Sequence, residues 1–202
     1  MKREVLNLRE TRDIRSVKDE IRVLAIKDVP LEDPSKPLWV IGVVFRGGYW
    51  LDGVMRTQIP SEEFDATQSL VDMIKSSPHY DQIRVIMLDD ILLGGQKVVD
   101  INELYEKTLK PVIVLMEKRP SYENRQSLRE TKGGLLLEIL ETMGEGIELS
   151  FGERGKRFMW STGLSSRIAE RIVRRTTRDD DMPEAMRVAK LISSTFLDLL
   201  LE

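Results

Sequence analysis

The sequence contains no cysteine and only one histidine, and both absences exclude kinds of site. Without cysteine the chain can form neither a disulfide nor a thiolate-bound metal centre. The one histidine, His79, lies in a predicted Ser-Ser-Pro-His-Tyr turn, which argues against a hydrolase built on a Ser-His-Asp triad. No apolar run reaches the length of about 18 residues that a membrane span needs.

The rest of the composition is that of an ordinary globular protein. The chain has 202 residues, of which 41% are hydrophobic and 32% charged, which suggests one domain. The net charge of -3 means that any binding of nucleic acid needs a local basic patch. The N-terminus is polar and unlike a secretory signal, so we expect a cytoplasmic protein. We interpret residues 1–20 as an arm or surface helix, and residues 21–202 as a single domain.

Hydrophobic patterning predicts an opening rich in strands. Strands are predicted at Ile21–Ile26, Leu38–Arg46 and Tyr49–Ile59. Gly47-Gly48 separates the second and third strands, and a glycine pair in this context is typical of a hairpin turn.

The middle of the chain predicts a β-α-β unit. A helix at Val98–Lys107 lies between two apolar strands, Arg84–Leu88 and Pro111–Met116. Such a unit has parallel strands and a right-handed crossover. Further elements are predicted at Ser61–Ser77, Tyr122–Thr142, Ser165–Arg175 and Pro183–Leu201 as helices, and at Arg157–Trp160 as a short strand. The predicted fold is α/β, a mixed sheet of about five or six strands covered by helices.

Carboxylates follow the predicted strands. Asp28 follows the first strand, Asp89 and Asp90 follow the Arg84–Leu88 strand, and Asp65 precedes it by one helix. Sites in open α/β sheets form at the carboxyl ends of strands. Converging carboxylates favour Mg²⁺ or Mn²⁺, which prefer oxygen ligands.

Each of these residues also has a purely structural interpretation. Asp65 can cap a helix, Asp89 and Asp90 can be loop residues, and Asp28 precedes a Val-Pro turn. The Gly94-Gly95 pair can cradle a phosphate, but the full P-loop pattern is absent and a plain turn explains it as well.

A row of arginines is predicted on one helix. Arg167, Arg171, Arg174 and Arg178 are spaced four, three and four apart, which places them on one stripe. The stripe can follow a phosphate backbone, or it can be a solvated face. Ile168 and Ile172 lie on the neighbouring face, which we expect to point to the core.

Seven segments together resemble the archaeal endonuclease dU family, which is itself similar to endonuclease V and its ribonuclease-H-like fold. The resemblance covers roughly residue 21 to the C-terminus and depends on the order and spacing of the segments. They are RVLAIKD (22–28), VIGVVFRGGYWLDGV (40–54), DAT (65–67), VIMLDDILLGGQKVVDINEL (85–104), PVIVLMEKRP (111–120), STGLSSRIA (161–169) and MPEAMRVAKLIS (182–193).

The resemblance assigns roles by position. Asp89 matches the Asp after the central strand of endonuclease V, Asp65 matches its catalytic Glu, and Lys118 matches the Lys that ends its next strand. The segment that opens the last helix is matched at Pro183, Glu184 and Arg187, and the Gly-x-Ser helix start at Gly163 to Ser165.

The chain also departs from the family pattern. The first strand of the family ends in an acidic pair, and this chain has Lys27-Asp28 there. Asp90 replaces a glycine, Leu164 a histidine, and Gly95-Gln96-Lys97 a Gly-Phe-Asn segment.

The resemblance implies a metal-dependent endonuclease that cleaves DNA near a deaminated base such as deoxyuridine. Asp28, Asp65 and Asp89 would hold Mg²⁺ or Mn²⁺, and Lys118 would stabilise charge near the phosphate. The alternative is a catalytically weakened or inactive member that binds nucleic acid or protein. The direction of the Asp28 side chain separates the two, because side chains alternate along a strand and Lys27 can fill the site instead.

Overall fold

The structure, a computed structural model, describes residues 17–30, 33, 35–119, 134–179 and 181–200. These residues form a seven-stranded mixed sheet, a small two-stranded hairpin and five helices. Most of the predicted N-terminal arm and the first part of the helix predicted from Tyr122 lie outside the described residues. None of the described helices is long and apolar enough to cross a membrane.

Most strand bounds follow the predicted ones closely, whereas the helices predicted from Ser61 and Val98 begin later, at Thr67 and Ile101. The strands are β1 (Arg22–Asp28), β2 (Leu38–Arg46), β3 (Trp50–Ile59), β4 (Val85–Leu88), β5 (Leu92–Leu93), β6 (Lys97–Val98), β7 (Val112–Met116), β8 (Ile147–Ser150) and β9 (Lys156–Thr162). The helices are α1 (Thr67–Ser76), α2 (Ile101–Thr108), α3 (Gly134–Met143), α4 (Ser166–Thr176) and α5 (Glu184–Leu200).

Three parallel strands form the centre of the sheet, which has the order β3-β2-β1-β4-β7-β9-β8. Strand β4 pairs in parallel with β1 on one side and with β7 on the other, and α2 connects β4 to β7. The predicted β-α-β unit is therefore confirmed. Its consequence is that β1, β4 and β7 all end at the same edge of the sheet.

Antiparallel strands extend the sheet at both sides. The β2–β3 hairpin turns at the predicted glycine pair, where Gly47 has φ +59° and a Cβ would meet the backbone oxygen of Asp19 at 2.3 Å. On the other side β9 and β8 complete seven strands, so the prediction of five or six was too low. Strand β8 was missed because its IELS sequence is short and mostly exposed.

Alternation along the strands divides the core into two layers. Leu24 and Ile26 of β1 pack with α1, α2 and α3, whereas Val23 and Ala25 pack with α4 and α5. Strand β4 follows the same rule, with Ile86 and Leu88 on the first face and Val85 and Met87 on the second. Because successive side chains point to opposite faces of the sheet, the same alternation predicts which face the residues just after each strand point to.

Candidate functional site

The carboxyl edge of the parallel strands holds a lysine between two aspartates. The Lys27 ammonium lies 3.0 Å from Oδ1 of Asp28 and 2.8 Å from Oδ2 of Asp89. All three side chains are largely shielded from solvent, with exposed fractions of 23%, 14% and 27% for Lys27, Asp28 and Asp89. The site is thus a charge cluster of two anions and one cation.

The strand register explains why Lys27 meets Asp89. Ile26 of β1 is level with Leu88 of β4, so Lys27 and Asp89 are the next residues of two adjacent parallel strands. By alternation both continue the face that carries α4 and α5, whereas Asp28 continues the opposite face. The ammonium still reaches Asp28, because a lysine stem is long and flexible.

The environment keeps Lys27 charged. Burial alone would lower the pKa of the Lys27 ammonium, but the charges of Asp89 and Asp28 and the hydrogen bonds these carboxylates accept raise it above its ordinary value of 10.5. The pairing therefore contributes stability that is complete below pH 10.5 and is lost only as the pH rises through the folded-state pKa. At neutral pH the position between the two carboxylates is occupied by a permanent positive charge.

The two carboxylate oxygens of Asp89 differ in their contacts. Its Oδ2 accepts from Lys27, while its Oδ1 is buried and has no hydrogen-bond partner among the residues that the structure describes. A buried acceptor without a donor is costly and uncommon. Asp89 also lines a small pocket together with Ile26, Lys27, Glu117, Arg157, Met182, Met186 and Lys190. A ligand in that pocket can reach the side chain of Asp89.

Asp28 is held by the loop that follows β5. Its Oδ2 accepts a hydrogen bond of 3.1 Å from the backbone N–H of Gly94, a residue with φ +58°. This glycine amide therefore faces a carboxylate of the chain itself rather than an open anion site. The bond ties β1 to the β5–β6 hairpin.

Asp65 lies at the start of α1, as predicted. Its Oδ1 accepts from the backbone N–H of Thr67 at 2.8 Å, and its backbone forms a parallel bridge with Val98 of β6. The helix-capping interpretation thus describes its hydrogen bonding, although the N-cap position itself is Ala66. The structure brings Lys27, Asp28 and Asp89 together, and Asp65 forms no three-member metal-binding group with any described acid.

A buried lysine fixes the segment that leads to Asp65. The ammonium of Lys97, only 7% exposed, donates to the carbonyl oxygens of Pro60 (2.8 Å), Ser61 (2.6 Å) and Glu63. Three carbonyls match the three N–H donors of an ammonium. Lys97 therefore holds the turn between β3 and α1 against strand β6.

Asp90 has a structural role beside the site. Its Oδ1 accepts from the backbone N–H of Leu92 at 3.0 Å. Burial raises the pKa of its carboxyl above the ordinary 3.8, although hydrogen bonds from Leu92 and Ile91 lower it in part. The ionised form is thus disfavoured in the folded protein. The resulting stability is complete below about pH 3.8 and is lost as the pH rises through the folded-state pKa.

The raised pKa of Asp90 predicts how the stability of the protein depends on pH. Asp90→Asn keeps an oxygen for the N–H of Leu92 and removes the charge, so we expect it to unfold at a higher temperature than wild type at pH 7. The difference should shrink toward pH 3, where wild type is also neutral at this position. Thermal unfolding at pH 3, 5 and 7 measures it, with exposed Asp81→Asn as the control. A difference that grew on acidification would contradict the assignment.

Two basic residues of the pocket were not predicted from the sequence. Arg157, 4% exposed, makes a bidentate contact to Asp181 (2.8 and 3.0 Å) and lies 3.3 Å from Oε1 of Glu117. Lys190 lies one helical turn after Met186 on α5, and both line the pocket.

The remaining predicted residues lie around this edge without joining the cluster. Lys118 is exposed two residues beyond β7, and its neighbour Glu117 lines the pocket instead. Of the arginine row, Arg167 and Arg171 are exposed on α4.

The other half of the row has intramolecular contacts. Arg174 pairs with Glu170 (2.8 Å) and with the backbone oxygen of Ser150 (3.2 Å). Arg178 lies beyond the end of α4 and stacks over the Tyr49 ring. Three of the four arginines, Arg167, Arg171 and Arg174, are therefore exposed on the helix, and only Arg178 lies outside it. The neighbouring isoleucines pack on the core, as predicted.

As they stand, these residues do not fit a divalent metal ion. Mg²⁺ and Mn²⁺ need several oxygen ligands around one point, and no group of three or more His, Cys, Asp or Glu side chains among the described residues provides this. Asp28 and Asp89 come closest to forming such a site, but both already contact the Lys27 ammonium. A metal at this position would have to displace it.

Comparison with known proteins supports the resemblance seen in the sequence. The family model described as Endonuclease dU matches residues 19–197. The chain belongs to the endonuclease dU family. A UPF0215 protein of Methanosarcina acetivorans is 42% identical over 181 residues, 88% of this chain and 91% of the relative. Membership thus covers nearly the whole chain.

Solved structures confirm the fold. A protein of unknown function from Archaeoglobus fulgidus superposes with a TM-score of 0.75 at 32% identity, covering 87% of this chain and 97% of that one. Endonuclease V of Ciona intestinalis, bound to a 23mer DNA containing an inosine followed by a ribo-adenosine, gives 0.58 at 12% identity, with coverages of 92% and 88%. The predicted ribonuclease-H-like, endonuclease V-like fold is therefore confirmed.

Proposed function

We propose that this protein is a slow DNA endonuclease of the endonuclease dU type, which binds DNA containing a deaminated base such as deoxyuridine and cleaves near it. Family membership supports the nuclease class. DNA as the partner is supported by the fold shared with an endonuclease V in complex with DNA. The choice of deoxyuridine follows from the family's description alone.

The observation that carries the proposal is the state of Asp89. Its carboxylate stands at the carboxyl end of β4, lines the pocket, and has a buried oxygen to which no described residue donates a hydrogen bond. Such an oxygen can accept a hydrogen bond from the attacking water and orient it. The Lys27 ammonium has three N–H groups, and among the described residues two carboxylates accept from it. One N–H is left for a phosphate oxygen of the substrate.

The same arrangement makes cleavage slow. An ammonium ion stabilises negative charge, but it does not bind a water molecule and lower the pKa of that water, as a catalytic metal does. Lys27 also occupies Oδ2 of Asp89 and leaves only the other oxygen of this carboxylate for the attacking water. Lys118 and the exposed Arg167 and Arg171 are the basic residues that we assign to contacts with the DNA backbone.

Cleavage of labelled oligonucleotides tests the proposal. Wild type should cut a strand containing one deoxyuridine in preference to the undamaged strand, whether or not the buffer contains Mg²⁺ or Mn²⁺. Asp89→Asn, which keeps the shape of the side chain, should lower the cleavage rate by about 100-fold, because the amide cannot accept a proton from the attacking water as the carboxylate can. Asp81→Asn removes an exposed carboxylate elsewhere and should leave the rate unchanged. Equal rates for wild type and Asp89→Asn would exclude Asp89 as a catalytic group.

The second candidate is a member of the family that binds DNA and does not cleave it. The observation in its favour is that Lys27 pairs with both carboxylates at the strand ends, Asp28 and Asp89. The same experiment separates the two functions. Tight binding of the deoxyuridine strand, with no product from wild type and unchanged binding by Asp89→Asn, would establish the second.

A further inference from the structure

Lys27, Asp28 and Asp89 form a cluster that resembles a cation site, in which the cation is the Lys27 ammonium. Two carboxylates at the ends of adjacent parallel strands would repel each other without a cation between them. The ammonium lies 3.0 and 2.8 Å from one oxygen of each. Removing its charge would leave a net charge of -2 in a largely shielded place.

The position also joins three separate segments of the fold. Lys27 and Asp28 end β1, Asp89 follows β4, and Asp28 in turn accepts from Gly94 in the β5–β6 hairpin. A cation at this point therefore holds two central strands and a neighbouring loop together. This structural role of the cation does not depend on any reaction at the site.

We infer that the Lys27 ammonium replaces a divalent cation as the resident ion of this site, so that the wild-type protein neither needs nor binds one there, and that a latent divalent-metal site is exposed when Lys27 is removed. The inference deepens the proposed function but rests on the geometry of the cluster alone. The ligand class is a hard divalent cation, for which Asp28 and the two oxygens of Asp89 supply the donors.

Chemical rescue tests the inference without a nuclease assay. Lys27→Ala should lower the unfolding temperature by roughly 5 °C, and millimolar Mn²⁺ should return at least about 3 °C of that loss. Wild type should shift by less than about 1 °C under the same conditions. Electron paramagnetic resonance should detect about one bound Mn²⁺ per chain in Lys27→Ala and none at this site in wild type. Lys27→Gln, which keeps most of the stem, replaces Lys27→Ala where the latter does not fold.

Arg22→Ala provides the matched control. Arg22 also lies on β1, and its Nε contacts a single carboxylate, Asp52, at 2.8 Å. Removing it should cost stability without creating a metal response, because Asp52 alone is a poor ion site and still contacts Arg46. Equal Mn²⁺ binding by wild type and the Lys27 variants would overturn the inference, as would the absence of Mn²⁺ binding in every Lys27 variant. Neither result depends on whether DNA is cleaved, so the proposed function stands or falls separately.

Discussion

Lys27→Asp should raise the rate of Mg²⁺- or Mn²⁺-dependent cleavage by at least about 100-fold, which corresponds to about 2.7 kcal/mol of activation free energy. The substitution removes the ammonium and places a third carboxylate level with Asp89 on the same face of the sheet. Three carboxylates can then hold a metal ion that activates water and stabilises the charge of the transition state. Single-turnover cleavage of the deoxyuridine strand at increasing Mn²⁺ concentration measures the effect.

Lys27→Met distinguishes the effect of binding a metal ion on the cleavage rate from the effect of losing the lysine. It removes the ammonium and keeps the stem, but it supplies no carboxylate, so its metal-dependent rate should stay well below that of Lys27→Asp. Without metal, Lys27→Asp should be the less stable variant, because its three carboxylates repel one another. A folded Lys27→Asp protein that binds Mn²⁺ and still cleaves no faster than wild type would show that Lys27 does not limit catalysis.

Lys97→Met should lower the free energy of unfolding by about 3 kcal/mol. The ammonium of Lys97 is the shared donor for the carbonyls of Pro60, Ser61 and Glu63. An acceptor that loses its donor costs about 1–3 kcal/mol where it stays shielded from water. Because the turn that carries these carbonyls leads to Asp65, loosening it should also disturb the start of α1. Urea unfolding measures the loss.

Lys75→Met is the control for the change of residue type. Lys75 is exposed in the last turn of α1, and surface substitutions of this kind stay within about 0.5 kcal/mol. If Lys97→Met also cost less than about 1 kcal/mol, the three short contacts would contribute little to folding, and the turn before Asp65 would have to be held by the backbone pairing of β6 alone.

The sequence predicted the central fold because its signals are local. Apolar runs bounded by turns located β4 and β7, and the helix between them required their parallel pairing. The parallel pairing of β1 with β4 then brings Asp28 and Asp89 to one edge. Strand β8 carries no such run, and the β5–β6 hairpin consists of strands of only two residues. Elements of this size depend on their neighbours rather than on their own pattern.

Three members of the candidate site, Lys27, Asp28 and Asp89, were predictable from the sequence, but the contacts between them were not. Alternation along β1 predicts that Lys27 and Asp28 point to opposite faces, but it does not tell which face Asp89 shares. The register between β1 and β4 decides this, and it is set by long-range packing of residues such as Leu24 and Ile86. Arg157 and Lys190 were missed because the elements that carry them are distant in sequence and meet only at the pocket. The roles of Asp65 and Lys118 in catalysis stay predictions.

A cation that is a side chain of the protein is present at its site at a concentration that does not depend on the solution. The Lys27 ammonium is tethered to β1, so its effective concentration at the two carboxylates is fixed by the length of its own side chain and does not fall on dilution. A chelator cannot extract it, and a shortage of metal in the cell cannot empty the site. The strand ends of this protein should therefore assemble equally well in metal-depleted and metal-replete medium.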